Sequence, residues 1–222
     1  MTRQALIWQK QEAYASEVQR MRCYNKEWFP PLYSVDYILR SARFIAAGVF
    51  ESVIEPGDTV VDATMGNGHD TLTLCQLVGE NGKVYAFDVQ SQAVENTRAR
   101  LQEAGVLSRA ELFCLGHEHI LEKVKGPIAL SAFNLGWLPG GDKSVTTHWE
   151  TTKQAVEGAL SLLKPLGVCV ICAYPGHAEG DRERSELMEL LAQLPPQQYN
   201  VLEHRFLNAG PGAPECFVIQ RQ

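Results

Sequence analysis

The chain has 222 residues, of which 45% are hydrophobic, and this size and composition suit one α/β domain with a short extension. A formal net charge of -6 disfavours a protein that coats nucleic acid without sequence preference, although it leaves room for a local basic patch. No segment has the apolar length of a membrane span or the pattern of a signal peptide, so we expect a cytoplasmic protein without a membrane partner.

The first 33 residues differ in pattern from the rest of the chain. They carry scattered aromatic side chains and lead to the pair Pro30-Pro31, where a helix or strand has to stop. We therefore predict an N-terminal extension over residues 1–33 and one folded domain over residues 34–222.

Helical and strand-like patterns alternate along this domain. Apolar residues recur at helical spacing from Val35 to Val53, which predicts a helix that leads into the first strand. Strands are predicted over residues 59–64, 83–88, 110–114, 127–134, 167–174, 200–206 and 215–221, and helices up to Val78 and over 91–104, 147–163 and 181–193. Only residues 207–214 separate the last two strands, so these should pair antiparallel. The predicted fold is a Rossmann-like α/β domain with a seven-stranded, mostly parallel sheet and an antiparallel last strand.

Six cysteines are scattered through apolar segments, and we expect all of them to be thiols in a reducing compartment. Cys169 and Cys172 form a C-x-x-C pattern inside a strand-like run, where an odd spacing sends the two side chains to opposite faces. No second cysteine pair completes a four-ligand set, so no metal is predicted.

A glycine-rich run over residues 62–71 joins the first strand to the following helix. Gly66 and Gly68 allow the backbone to turn tightly and to approach a ligand, and the helix start adds exposed N–H donors. Twenty residues after Gly68, Asp88 ends the second strand, where a carboxylate can accept hydrogen bonds from the hydroxyls of a ribose. The pattern predicts a nucleotide-like ligand.

Two residues favour S-adenosylmethionine over NAD as that ligand. Thr71 replaces the third glycine of the dinucleotide fingerprint, and Asp62 puts a carboxylate at the strand tip. Such a carboxylate repels a pyrophosphate but attracts the ammonium of a methionine moiety, directly or through water. The predicted cofactor-binding residues are Asp62, Thr64, Gly66, Asn67, Gly68, Asp70, Thr71, Asp88, Gln90 and His117.

Four separated motifs resemble one known family. DATMGNGHDT, FDVQ, NLGWLPGGDK and YPGHAEG resemble the bacterial family long labelled putative rRNA methylases, over about residues 35 to 222. Some members are assigned as tRNA methyltransferases that convert 5-aminomethyl-2-thiouridine to 5-methylaminomethyl-2-thiouridine at the wobble position. The resemblance implies a class I fold and S-adenosylmethionine as the cofactor. The chain departs from the family pattern at two places: Trp137 stands where Tyr is expected, and the N-terminal extension is additional.

The resemblance suggests roles for the residues on the substrate side. Asn134 ends the fourth strand, and its side-chain oxygen could orient an attacking amine, while Trp137 could form a wall for a base. An aminomethyl group must first lose its extra proton, for which Asp142 is the first candidate acceptor and His177 or Glu179 the second. The remaining candidates are Tyr174 for stacking on the base and Lys143 for binding phosphate or for pairing with Asp142.

The resemblance implies a tRNA anticodon loop as the preferred substrate, and the unstacked bases of such a loop can enter a pocket of this kind. The basic residues available to hold it are Lys143, Arg182 and Arg184, or Arg20, Arg22 and Lys26. Methylation of rRNA or of a small amine is the alternative within the same class, and a homodimer is left open. From other classes, an NAD-dependent oxidoreductase and a non-catalytic RNA-binding module also remain as alternatives.

Overall fold

The computed structural model describes residues 41–138, 140, 145–210 and 212–222. The predicted extension over residues 1–33 lies outside these ranges, as do Asp142 and Lys143. Within the described ranges, no helix combines the length and the apolar character that crossing a bilayer requires.

Strands and helices alternate as predicted through most of the domain. The strands are β1 (Thr59–Asp62), β2 (Lys83–Asp88), β3 (Ala110–Cys114), β4 (Ile128–Asn134), β5 (Leu163–Ala173), β6 (Tyr199–His204) and β7 (Glu215–Arg221). The helices are α1 (Ala42–Val53), α2 (His69–Val78), α3 (Ser91–Glu103), α4 (Ile120–Lys123), α5 (Trp149–Leu162) and α6 (Ala178–Ala192), with 3-10 turns at Leu107–Arg109 and His117–His119.

Strand β5 begins earlier than predicted, at Leu163 rather than at Gly167. Leu163 already pairs with Ile128 of β4, and the register between the two strands then shifts before Leu130 pairs with Val168. Leu166 takes a positive φ of 64° within this irregular stretch. The residues between Leu163 and Gly167, which lie outside the predicted strand, therefore form an irregular part of β5.

The sheet has the strand order β3-β2-β1-β4-β5-β7-β6. Strands β1 to β5 are parallel to one another, whereas β7 runs antiparallel to both β5 and β6, which confirms the predicted sheet. The order reverses between β1 and β4. In an open parallel sheet, the crevice at such a switch point, outside the carboxyl ends of the strands, is where ligands bind.

Buried side chains fill a core on each face of the sheet. One core contains Phe50 of α1 and Leu74 of α2, and the other contains Val156 of α5 and Leu187 of α6. Cys169 belongs to the second core and Cys172 to the first, so the prediction that they face opposite sides is confirmed. Cys114, at the end of edge strand β3, belongs to neither core and is exposed.

Candidate active site

A cavity of about 730 Å³ lies at the carboxyl ends of β1, β2 and β4. Small-molecule sites commonly have volumes of about 300–1,000 Å³. The predicted site residues that line it are Thr64, Gly66, Asn67, Asp70, Asp88, Gln90, His117, Asn134, Trp137 and His177. The structure therefore brings the predicted cofactor residues and the predicted substrate residues to one continuous cavity.

Asp62, Gly68 and Thr71 lie beside this cavity and not on its wall. Asp62 is fully buried, and its oxygens accept hydrogen bonds from Thr64 N at 3.2 Å and from Thr71 Oγ1 at 2.6 Å. Burial raises the pKa of Asp62 to about 7, and the nearby Asp70 carboxylate adds to the shift. In this structure Asp62 holds the glycine loop to the start of α2, and its attraction for an ammonium group stays a prediction.

Helix α3 holds the glycine loop from the other side. Gly68 has a φ of +76°, and a Cβ on it would lie 2.7 Å from Thr97 Oγ1, so only glycine allows this close approach. The Thr97 hydroxyl donates to the carbonyl oxygen of Gly66 at 2.9 Å, and Arg100 Nε donates to that of Asn67 at 2.8 Å. These contacts, made within the chain itself, fix the shape of the loop.

Asp88 lines the cavity at the end of β2. Its Oδ2 accepts from Gly66 N at 3.0 Å and its Oδ1 from Gln90 N at 2.9 Å. Burial raises the pKa of Asp88, and these two hydrogen bonds oppose that shift. Each carboxylate oxygen has a second lone pair, so Asp88 can also accept hydrogen bonds from a ribose diol.

His117 forms a neutral part of the cavity wall. Burial lowers its pKa to about 4, so the imidazole carries no charge at neutral pH. Its ring centroid lies 5.9 Å from that of Phe133. A neutral ring of this kind suits the aromatic plane of an adenine better than a phosphate.

Asn134 has an amide whose orientation follows from its partners. Its Nδ2 donates to Asp70 Oδ2 at 2.8 Å, and Tyr174 Oη donates to its Oδ1 at 3.4 Å. Burial raises the pKa of Tyr174, which keeps the phenol protonated and able to donate. Asp70 also lies 3.5 Å from the Nε of Arg43. The backbone of Asn134 is held separately, because its N–H donates to Thr64 Oγ1 at 2.7 Å.

Trp137 and His177 pack against each other on the substrate side. Their ring centroids are 4.5 Å apart with the planes inclined by 47°, and Trp137 is 37% exposed. His177 Nδ1 accepts a hydrogen bond from Gly180 N at the start of α6, at 3.1 Å. A neutral His177 in this arrangement carries its proton on Nε2, which is then a donor, so the geometry disfavours His177 as a proton acceptor.

Glu183 of α6 anchors Thr147, which in turn contacts the backbone of Gly136 after β4. The sequence did not indicate this role. Thr147 Oγ1 accepts from Gly136 N at 2.9 Å and donates to Glu183 Oε2 at 2.7 Å. The hydroxyl of Thr152 in α5 donates to the other carboxylate oxygen. Glu183 is buried, and burial raises its pKa.

Two of the predicted RNA-binding arginines are paired within the chain. Arg184 forms a two-pronged contact with Glu215, at 2.7 Å and 3.0 Å, and Arg182 lies 2.6 Å from Glu150. The guanidinium of Arg184 joins α6 to β7, so it is used within the domain, and the prediction that Arg184 holds an RNA partner is not supported. Glu179, the other candidate proton acceptor, lies 3.3 Å from His148 and does not line the cavity.

Comparisons with known proteins agree with this architecture. The model of the family described as "Putative rRNA methylase" matches residues 84–220. The "tRNA (mnm(5)s(2)U34)-methyltransferase, chloroplastic" of Arabidopsis thaliana is 38% identical over 194 residues, which cover 82% of this chain and 70% of that protein.

Two solved structures share both fold and sequence with the chain. A "putative rRNA-methylase" from Clostridium thermocellum is 34% identical, with a TM-score of 0.82 over 84% of this chain and 100% of that one. A "putative methyltransferase" from Streptococcus mutans, solved in complex with SAH, is 32% identical, with a TM-score of 0.76 over 83% of this chain and 100% of that one. The chain therefore belongs to the family described as "Putative rRNA methylase" and is an S-adenosylmethionine-dependent methyltransferase of the class I fold.

Proposed function

We propose that the protein methylates the nitrogen of the aminomethyl group of 5-aminomethyl-(2-thio)uridine at the wobble position of tRNA. The observation that carries this proposal is the continuous cavity, in which the oriented amide of Asn134 lies between the glycine loop and the aromatic side chains of Trp137 and Tyr174. The name of the 38% identical Arabidopsis protein supports the choice of substrate.

The residues of the cavity fit the cofactor. Asp88 provides a ribose acceptor, neutral His117 provides a wall for adenine, and the loop from Thr64 to Asn67 is already held in shape. When bound, S-adenosylmethionine supplies a methyl group on a sulfonium, which an amine attacks in line with the bond that breaks. The residues of the chain have to orient that amine and to hold it without its extra proton.

Asn134 is the residue we assign to orienting the amine. Because its Nδ2 is used by Asp70, its Oδ1 is the atom that can accept an N–H of the substrate. A hydrogen bond from the amine to this oxygen directs the nitrogen lone pair away from Asn134. A neutral acceptor also avoids the firm ion pair that would hold the substrate as an unreactive ammonium ion.

We assign removal of the amine proton and binding of the nucleobase to other residues. Asp142 remains the proposed proton acceptor, since the Nδ1 of His177 is occupied by Gly180 and Glu179 does not line the cavity. Trp137 and Tyr174 offer aromatic surfaces on which an unstacked uridine can pack.

Transfer of a labelled methyl group to defined tRNAs tests this proposal. The purified protein should methylate tRNA that carries 5-aminomethyl-2-thiouridine and should leave the unmodified transcript unlabelled, because only the former presents a nucleophilic amine. Mass spectrometry of tRNA nucleosides from cells lacking the gene should show loss of the 5-methylaminomethyl form. Equal labelling of both tRNAs, or labelling of rRNA alone, would exclude the assignment.

A further inference from the structure

A pair of opposite charges lies on the cavity wall next to the side-chain amide of Asn134. Arg43, in the first turn of α1, places its Nε 3.5 Å from Oδ1 of Asp70, in the first turn of α2. The side chain of Arg43 is 50% exposed and that of Asp70 is 16% exposed, and both residues line the cavity.

Arg43 is the source of positive charge in this cavity. It is the one lysine or arginine side chain among the described residues that line the wall. The nearby His69 does not add to it, because burial first, and then the charges of Arg100 and Arg43, lower its pKa.

The charge pair and Asp88 lie at two different ends of the cavity. Asp88 ends β2, whereas Asp70 contacts Asn134 at the end of β4, and β1 separates these two strands. Two strand spacings correspond to roughly 10 Å. With a ribose at Asp88, the charge pair is left for the other end of the same cofactor, which carries an α-ammonium and an α-carboxylate.

We infer that Arg43 binds the carboxylate and Asp70 the ammonium of the amino-acid end of S-adenosylmethionine. This inference rests on the cofactor part of the proposed function and extends it to a helix outside the glycine loop. A guanidinium has five N–H donors, so contact of its Nε with Asp70 is compatible with a two-pronged grip on a carboxylate. Adjacent charges of opposite sign match the zwitterion, whereas either charge alone would repel half of it.

Calorimetry with two ligands tests the assignment of Arg43 without measuring catalysis. The ligands are S-adenosylhomocysteine and S-adenosyl-3-thiopropylamine, which is the same molecule without the carboxylate. Arg43→Ala should weaken binding of the first by tenfold or more, equal to about 1.4 kcal/mol, and should leave binding of the second nearly unchanged. Arg43→Lys should retain part of the preference, and Arg98→Ala, at an exposed site of α3, should bind both ligands as the unchanged protein does.

Asp70 is tested in the same way with the deaminated analogue of S-adenosylhomocysteine. Asp70→Asn should weaken binding of the complete ligand but not of the analogue, because only the former carries an ammonium. Thermal melting of each variant checks that the domain is folded.

The outcomes separate this inference from the proposed function. If Arg43→Ala lowers the affinity for both ligands equally, or for neither of them, the assignment of Arg43 is wrong, although the assignment of the cofactor stands. If the unchanged protein binds neither ligand, the cofactor assignment itself fails, and the inference fails with it. If the ligand preferences are as expected but the modified tRNA is not methylated, the inference stands and the substrate proposal fails.

Discussion

The amide nitrogen of Asn134 donates to Asp70 Oδ2 at 2.8 Å, and this contact turns the amide oxygen toward Tyr174 and the cavity. The side-chain amide of Asn134 is therefore oriented by a residue of the glycine-rich motif, 64 positions away in the sequence. Asp70 thus orients the amide, and in our proposal the same residue also binds the ammonium of the cofactor.

Replacement of Asn134 should affect turnover more than cofactor binding. Asn134→Ala removes the oxygen that orients the amine, so we expect kcat to fall by roughly 10²-fold. Its backbone N–H still donates to Thr64, so the loop should keep its shape and S-adenosylhomocysteine should bind with nearly unchanged affinity. Single-turnover kinetics and calorimetry measure the two effects, and a loss confined to affinity would contradict the assigned role.

Asp88→Ala should weaken binding of S-adenosylhomocysteine by about 1.5–3 kcal/mol, because a charged hydrogen-bond acceptor is lost. The variant also frees the backbone N–H groups of Gly66 and Gln90, so the loop becomes less ordered. Calorimetry measures the affinity, with Glu103→Ala at an exposed site of α3 as the control. Unchanged affinity in Asp88→Ala would argue against a ribose at this position.

The raised pKa of Asp62 makes stability depend on pH in a defined window. The pKa of this carboxyl is about 7 in the folded chain and 3.8 in its ordinary state, so protonated Asp62 stabilises the fold fully below pH 3.8. This contribution is lost as pH rises from about 4 to about 7. Asp62→Asn has no titrating group at this position. As the pH rises from about 4 to about 7, the Tm of the unchanged protein should therefore fall relative to the Tm of the variant. Parallel Tm curves would show that Asp62 does not titrate there.

Trp137 should contribute to binding of the nucleobase rather than to the chemical step. Stacking of one base on an aromatic side chain is worth about 1–3 kcal/mol by alanine substitution. Trp137→Ala should therefore raise KM for the modified tRNA about tenfold or more with a smaller effect on kcat, while Trp137→Tyr should keep most of the affinity. A fall in kcat at constant KM would point to a different role.

Asp142→Ala should lower kcat at neutral pH and recover as the pH approaches the pKa of the amine. The amine then loses its proton to solvent, and an internal acceptor is no longer required. A profile of kcat against pH for the variant and the unchanged protein provides the measurement. A variant that is equally slow at every pH would exclude Asp142 as the proton acceptor.

Features that depend on residues close together in the sequence could be predicted from the sequence alone. The alternating apolar periods indicated the sheet, and the glycine loop with Asp88 indicated where the cofactor side of the cavity lies. The contacts that were missed join distant segments. Thr97 lies 31 positions from its partner Gly66, and Glu183 lies 36 positions from Thr147. Glu183 stands in a charged helix segment, and nothing in a local pattern distinguishes it from its exposed neighbours.

The hydrogen-bonded chain from Gly136 through Thr147 to Glu183 makes the substrate wall part of the interior of the domain. Its last acceptor is a buried carboxylate on α6, which a second threonine in α5 also contacts. Displacing this part of the wall would strip a buried carboxylate of donors, which is costly because a buried acceptor is then left without its hydrogen bonds. This side of the cavity is therefore a rigid surface, and any adjustment of the cavity to substrates of different shape has to come from elsewhere in the chain.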